Sequence, residues 1–348
     1  MSKRVKALGA TTFLLFVISI TTFYLENHRQ TDILIGSYFL TGFDIDKISK
    51  FTIHGKDQKT LVFQRQGSGF TLSNYHHYPA DNEKINDILF KISNLKIKEK
   101  EDLSEKKNSD YQLAENGYSS KLEFHGNQGQ LFLTFFIGKY KNKVGSYIRK
   151  LGDENIFVAS ENIYINPDKN QYINTQLVQL IKEDINQVDV SSKQLVIVKR
   201  NDKKEFEIEG IDQAKVQGNK VTSFISDILK PQIQNFYPLG DTALNKVRFD
   251  KSFKVALNNN LIYSFRLGEE SDKYFLQAQA SVDEVRSQFV IGKDDDKEKL
   301  QNVEKVMKSQ GIAQSFNIRH GKWVYEITKN QYHNLTRDRT FFLNQEKK

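Results

Sequence analysis

From Ile48 onward, apolar and polar positions alternate in short runs. Ile48-Ser49-Lys50-Phe51-Thr52-Ile53, Leu61-Val62-Phe63-Gln64-Arg65 and Phe70-Thr71-Leu72 each have the length of a strand, with Gly67-Ser68-Gly69 turning the chain between the last two. Runs of this kind, bounded by Gly, Asn, Asp and Lys, predict an antiparallel meander. The period then changes. Within Tyr78 to Leu95, Pro79 limits any helix on its N-terminal side and Asp81 or Asn82 offers an N-cap. Ile85, Ile88, Leu89, Ile92 and Leu95 then recur at helical spacing. One such stripe predicts an amphipathic helix lying on a sheet. Lys96 to Ser109 reads as a solvated charged loop. Strands resume at Leu122 to Phe124 and at Leu131 to Ile137, which closes at Gly138. Ser146 to Arg149 and Ile156 to Val158 form a hairpin, and Tyr172, Ile173, Leu177, Leu180 and Ile181 predict a closing helix.

The same order returns. Asp184 to Val190 answers Lys47 to Ile53, Leu195 to Arg200 answers Leu61 to Arg65, and Glu205 to Glu209 answers Phe70 to Leu72. A second amphipathic helix carries Val221, Phe224, Ile225, Ile228 and Leu229, and Pro231 ends it. Phe253 to Leu257 and Leu261 to Leu267 form a hairpin about Asn258-Asn259-Asn260, closing at Gly268, and Tyr274 to Ala278 follows. Asp294 to Ser309 predicts a helical insert, with acids in the first turn where the helix dipole favours them. A last strand, Trp323 to Ile327, precedes an amphipathic tail with Tyr332, Leu335, Phe341, Phe342 and Leu343. Two diverged copies of one α+β module are the economical architecture.

Ahead of this pattern stands a different one. Lys3, Arg4 and Lys6 precede Ala7 to Leu25, which carries no charge and is dense in Phe, Leu, Ile and Val. As a helix it is about 28 Å long, close to the hydrocarbon thickness of a bilayer. The cations before it and Glu26 after it predict a cytoplasmic N-terminus and an extracytoplasmic body. Thr21, Thr22, Phe23 and Tyr24 stand where a small-residue cleavage site would be, so the segment reads as an uncleaved anchor. Residues 27–43 read either as a short juxtamembrane helix or as a first packing element. The expected fold class is therefore α+β, an N-terminal transmembrane helix followed by two tandem, diverged modules of antiparallel sheet plus amphipathic helix. Residues 1–26 are the cytoplasmic stub and anchor, 27–43 the connector, 44–182 the first module, and 183–348 the second with its insert and tail.

Composition adds limits. At 348 residues each module can bury its own core, and four prolines leave little for extended linkers. With no cysteine, disulfides and thiolate metal sites are excluded. The net charge of +8 is spread among 43 acids and does not predict a nucleic-acid partner.

Candidate chemistry is sparse. None of the seven histidines stands in a recognised metal-ligand spacing, and the one pair, His76-His77, reads as a surface turn before Pro79. Asp294-Asp295-Asp296 lacks the glycine and the glutamate of a calcium loop. Gly138-Lys139, Gly292-Lys293 and Gly321-Lys322 each lack the rest of a phosphate loop, and G-x-S-x-G is absent. S-x-x-K occurs at Ser93 to Lys96 and Ser104 to Lys107 without its companion motifs. The fifteen tyrosines and 25 phenylalanines read as core packing before they read as a carbohydrate platform. No catalytic, cofactor-binding or metal-binding residue is assigned.

Phe70-Thr71-Leu72, the Tyr78-Pro79-Ala80 turn with its helix, Tyr111-Gln112-Leu113, Ile137-Gly138 and Tyr147-Ile148-Arg149 together resemble domain of unknown function 4340. The likeness covers residues 44 to 182 well and the second module loosely, and Phe70 stands where members often have Trp. The resemblance implies a single-anchor bacterial inner-membrane protein with a periplasmic or otherwise extracytoplasmic body and no assigned reaction. It also implies the company of ABC-type transport systems of the gliding-motility auxiliary kind. The expected function is thus a non-enzymatic accessory or scaffold protein, with the membrane and transporter proteins as partners and no cofactor. The alternatives are a module binding envelope polysaccharide or peptidoglycan, and an unrecognised hydrolase.

Overall fold

The computed structural model describes residues 12, 15–22, 34–101, 108–283 and 297–343. The chain divides into two compact units, 1–173 and 174–348. In the first, the strands are β1 (Lys50–Gly55), β2 (Thr60–Gln66), β3 (Gly69–Leu72), β4 (Tyr78–Pro79) and, after helix α1 (Asn82–Ser93), β5 (Ile97–Lys100). Then come β6 (Leu113–Ala114), β7 (Gly117–Tyr118), β8 (Ser120–His125), β9 (Leu131–Lys141), β10 (Gly145–Lys150) and β11 (Phe157–Ala159). Nine of them make one sheet in the order β4-β3-β2-β1-β8-β9-β10-β11-β5, while β6 and β7 pair separately.

The second unit holds β12 (Ile185–Ser191), β13 (Leu195–Arg200), β14 (Phe206–Ile208), helix α2 (Gly218–Asp227), β15 (Asn235–Pro238), β16 (Arg248–Leu257), β17 (Leu261–Glu270) and β18 (Lys273–Val282). Helix α3 (Lys297–His320), β19 (Trp323–Ile327), α4 (Lys329–Leu335) and α5 (Arg339–Phe342) complete it. Its sheet runs β14-β13-β12-β16-β17-β18-β19-β15. Apart from β4, each strand of one sheet has a counterpart at the same place in the other, and every pairing between the named strands is antiparallel. The chain is α+β.

Local chemistry explains the helices. The Asp81 carboxylate accepts from the backbone N–H groups of Glu83 and Lys84, and Ile85, Leu89 and Ile92 are buried. Phe90, on the other face, is exposed. In α2 the buried positions are Val221, Phe224 and Ile225. One arginine does the same work in both units. Arg65 donates to the carbonyls of Ile48 and Ile45 and lies 4.5 Å above the Phe70 ring. Arg200 donates to the carbonyls of Ile185 and Lys182 and lies 4.5 Å above Phe206.

Several elements differ from expectation. Lys96 to Ser109 is not all loop, because Ile97 is buried and β5 pairs with β11 at the sheet edge. Charged side chains are what an edge strand carries. The predicted closing helix does not form. Tyr172 and Ile173 are buried in the first unit, where the Tyr172 carbonyl accepts from the Asp81 N–H. The N–H groups of Leu177 and Leu180 instead donate to Pro231 and Leu229 in the second unit. Helix-like spacing arose there from one extended segment serving two cores. Strand β15 was not foreseen, and the insert helix continues to His320 through buried Val306, Ser309, Ala313, Phe316 and His320. Its predicted start at Asp294 lies outside the described residues.

The two glycines do not close their strands, since β9 and β17 run past them. A Cβ on Gly138 would strike the Tyr111 carbonyl oxygen, and one on Gly268 would come within 2.7 Å of the Arg248 carbonyl oxygen. Backbone passes too close for any side chain.

Most of the predicted anchor, Ala7 to Leu25, lies outside the described residues; residues 15–22 are helical. Among the described residues, no helix is long and apolar enough to cross a membrane. The described part of the connector is a packing element. Phe39 and Leu40 are buried, and the Gly36 and Phe39 N–H groups donate to Ile97 and Leu95.

Candidate functional site

At one end of the first sheet, six segments, Ser146 of β10 among them, line an open cleft of about 1030 Å³. The β1–β2 turn supplies Lys56, Asp57 and Lys59; the loop before β4 supplies Tyr75; β8 and its approach supply Ser119 and Ser120. Strand β9 brings Lys139 and Tyr140, and the segment after β11 brings residues 162–169. That last segment is held at several points. Ser146 Oγ donates to Asn162 Oδ1 (2.9 Å) and accepts from the Ile163 N–H (2.9 Å), and Ser120 Oγ donates to the Ile165 carbonyl. The Tyr172 hydroxyl donates to the Asn166 carbonyl at 2.6 Å, and burial raises that phenol's pKa. Gly55 lets Pro167 approach, as a Cβ there would fall 2.7 Å from the proline ring.

The lining mixes charges. Lys59 Nζ lies 2.9 Å from Asp57, a bond that lowers the carboxyl pKa and raises that of the ammonium, both in water. Asp168 caps the turn at Lys169–Gln171, and Lys169 Nζ stands 5.4 Å above the Tyr75 ring. Two aromatic rings project outward while tethered at the hydroxyl. Tyr164, 77% exposed, accepts from Asn166 Nδ2 at 2.9 Å, and Tyr140 accepts from the Lys143 N–H at 3.0 Å. The arrangement offers cations, hydrogen-bond acceptors and fixed aromatic faces in one concavity. No short motif could reveal it, because its residues come from positions 55 to 169.

Other polar clusters lie on sheet surfaces. His54 bridges Thr60 Oγ1 (Nδ1, 3.2 Å) and Glu123 Oε2 (Nε2, 3.0 Å), while Lys121 takes the other Glu123 oxygen at 2.7 Å. Burial acts against the Glu123 charge, but hydrogen bonds from Lys121 and His54 leave its pKa below the usual value. The connectivity matches a hydroxyl–imidazole–carboxylate relay, but the residues are neighbours across β2, β1 and β8 and lie outside the cleft lining. It reads as a cross-strand ladder. His76 and His77 are turn residues with positive φ, 54° and 57°. No group of three or more His, Asp or Glu among the described residues is arranged to hold a metal ion.

Three of the segments quoted for the family resemblance, those of Tyr111, Gly138 and Tyr147, meet in space. Tyr111, Leu113, Phe136, Tyr147, Ile156 and Val158 form one buried cluster. The Tyr111 and Tyr147 rings stand 4.7 Å apart, and Gly138 makes room for the Tyr111 carbonyl. Arg149, 5% exposed, donates to the Leu113 carbonyl through Nε and Nη2 and lies 4.8 Å above Phe136. The Domain of unknown function (DUF4340) family model matches residues 71–252. The chain belongs to the DUF4340 family. The matched segment begins in β3 and ends in β16, so it takes in parts of both units. All the quoted motifs except Phe70 fall within it, and they hold the DUF4340 fold together. Neither a curated protein nor a solved structure matches the chain.

Proposed function

We propose that this DUF4340 protein is a non-catalytic accessory or scaffold protein of the bacterial cell envelope. Ala7 to Leu25 anchors it in the inner membrane, and its two units stand on the extracytoplasmic side. The duplication carries this reading. One chain presents the same sheet twice with different helices and loops on it, an economical way to offer two distinct surfaces to partner proteins. The cationic flank of Lys3, Arg4 and Lys6 before an uncharged stretch supports the anchor and its orientation. The family resemblance points to an ABC-type transport system, of the gliding-motility auxiliary kind, as the partner.

The test is affinity capture of the tagged full-length chain from gently solubilised native membranes. The expected result is co-purification of transporter subunits in reproducible ratio. Repeated recovery of the chain alone would overturn the proposal.

A further inference from the structure

We infer that the cleft of the first unit binds an acidic oligosaccharide, a chain of sugar rings bearing carboxylate or phosphate groups. This goes beyond the scaffold reading and depends on neither the anchor nor the transporter partner.

Three features of the cleft select this ligand class. The first is the pair of outward rings. An exposed tyrosine ordinarily samples several rotamers, and fixing one costs entropy on binding. Here Tyr164 is held by Asn166 and Tyr140 by the backbone of Lys143, so their faces are ordered before any ligand arrives. Sugar rings present C–H-rich faces that pack on such surfaces, and a tyrosine offers a large, stiff contact area. The second feature is the excess of cation among the described lining residues, where Lys56, Lys59, Lys139 and Lys169 stand with Asp57 and Asp168. A concave surface with that balance concentrates anions. The third is the presence of those two carboxylates, with Ser119, Ser146, Asn162 and Asn166, among the lysines. A dense polyphosphate such as single-stranded nucleic acid meets repulsion from aspartates in its path. A polyhydroxylated chain uses them as acceptors for its hydroxyls.

The cleft wall is pre-formed for this role. The ties from Ser120, Ser146 and Tyr172 hold residues 162–166 in place, and Pro167 packs on Gly55. In the second unit the segment after β19 instead folds into α4, whose Tyr332 and Leu335 are buried. The two copies thus differ at the place where the first has the cleft.

The experiment is isothermal titration calorimetry of the purified full-length chain in neutral detergent micelles with tetragalacturonate. The neutral galactose tetramer, inorganic phosphate and an eight-residue oligothymidylate serve as comparison ligands. The expected result is saturable binding of tetragalacturonate, weaker binding of the neutral tetramer, and no displacement by millimolar phosphate. Tyr164→Ala and Lys139→Glu should each weaken binding by about tenfold or more. Lys199→Glu, the same charge change at an exposed position of β13 in the second unit, should leave it unchanged. Both cleft side chains are exposed, and thermal unfolding followed by circular dichroism checks that the variants keep the wild-type fold. Absence of saturable tetragalacturonate binding overturns the inference. So does undiminished binding by Tyr164→Ala, equal loss in Lys199→Glu, displacement by phosphate alone, or tighter binding of the oligonucleotide.

Discussion

Four rings, Phe63, Phe51, Phe124 and Phe135, lie across β2, β1, β8 and β9 in the first unit, with neighbouring centroids 4.4, 5.9 and 6.1 Å apart and the planes nearly parallel. Matching the two sheets through their registers puts Val198, Val188, Val255 and Phe265 at the corresponding places in the second. All eight side chains are buried. The volume lost from the second sheet is supplied from above it. Where α1 lays Ile85, Leu89 and Ile92 on its sheet, α2 brings Phe224, whose ring meets Phe253 at 6.4 Å and Phe342 of α5 at 5.3 Å. One strand order therefore accepts two core solutions, four rings across the sheet under an aliphatic helix, or three valines and one ring under a helix that adds Phe224. Close packing demands that the sum be kept, not the residue at each point.

Removing one side chain from each set of four separates the two core solutions by the largest effect. Phe124→Ala should destabilise the first unit by about 4 kcal/mol, because a ring stacked on two others leaves a cavity that β-strands cannot collapse around. Val255→Ala at the matching place should cost about 2 kcal/mol. Denaturant titration read by hydrogen exchange of peptides from each unit separates the two. Equal costs would mean that the ring stack adds nothing beyond what the valines supply.

The shared strand order was legible because it survives where the residues do not. The Pro79–Asp81 turn and the stripe of α1 state a helix locally, and the Leu61-to-Arg65 and Leu195-to-Arg200 runs state matching strands. Edge strands were harder. Strand β5 reads as charged loop because Lys98, Glu99 and Lys100 satisfy solvent and neighbours at an edge, and β15 contains a proline that suits an edge and obscures a strand. The closing helix was misread because spacing alone cannot tell a single stripe from a linker reporting to two cores. The cleft was invisible for a third reason. Its lysines and tyrosines look like ordinary surface residues until the sheet brings distant segments together.

A second contrast concerns acid. His320 in the second unit is 6% exposed, with Nδ1 2.8 Å from the Tyr325 hydroxyl. Burial first, and the Arg319 charge second, lower its pKa from 6.5 to about 4. Between those values the unfolded chain binds a proton that the folded chain does not. The second unit is therefore fully stable above pH 6.5 and loses stability as pH falls, by about 3 kcal/mol once pH is below 4. In the first unit His125 is shifted in the same direction, by burial and then Lys50, while Glu123 acts against the shift. Urea titrations from pH 7 to 4, read by the fluorescence of the single tryptophan, Trp323, report on the second unit. His320→Gln should flatten the profile, and an unchanged slope would remove His320 as the cause.

At the arginine latches the two units are alike. Arg65 and Arg200 each tie two carbonyls at the start of the first strand of their unit and stack on a ring of the third. Replacing either by Met removes charge-assisted hydrogen bonds and leaves carbonyls without their donors, so Arg65→Met and Arg200→Met should each cost about 2 kcal/mol. The measurement is the same unit-resolved exchange. Lysine should rescue neither fully, since it cannot hold two carbonyls in a fixed fork while lying flat on a ring.

The smallest effect lies at the far edge of each sheet. In the first unit Lys141 Nζ reaches both Glu99 and Glu101 at 2.5 Å, pinning β5 with charge that is one-third exposed. At the corresponding edge of the second, the Tyr237 hydroxyl donates to Glu326 of β19 at 2.7 Å and accepts from Asn235 Nδ2 of its own strand at 3.0 Å, so the side-chain tie across that edge starts from a neutral phenol. Salt screens the first arrangement more than the second. Exchange protection of the β5 amides should fall about threefold between 0.05 and 0.5 M NaCl while that of β15 holds, and Lys141→Met should cost at most about 1 kcal/mol. Equal salt sensitivity at both edges would show that the two copies pin their last strands by the same means, whatever the side chains.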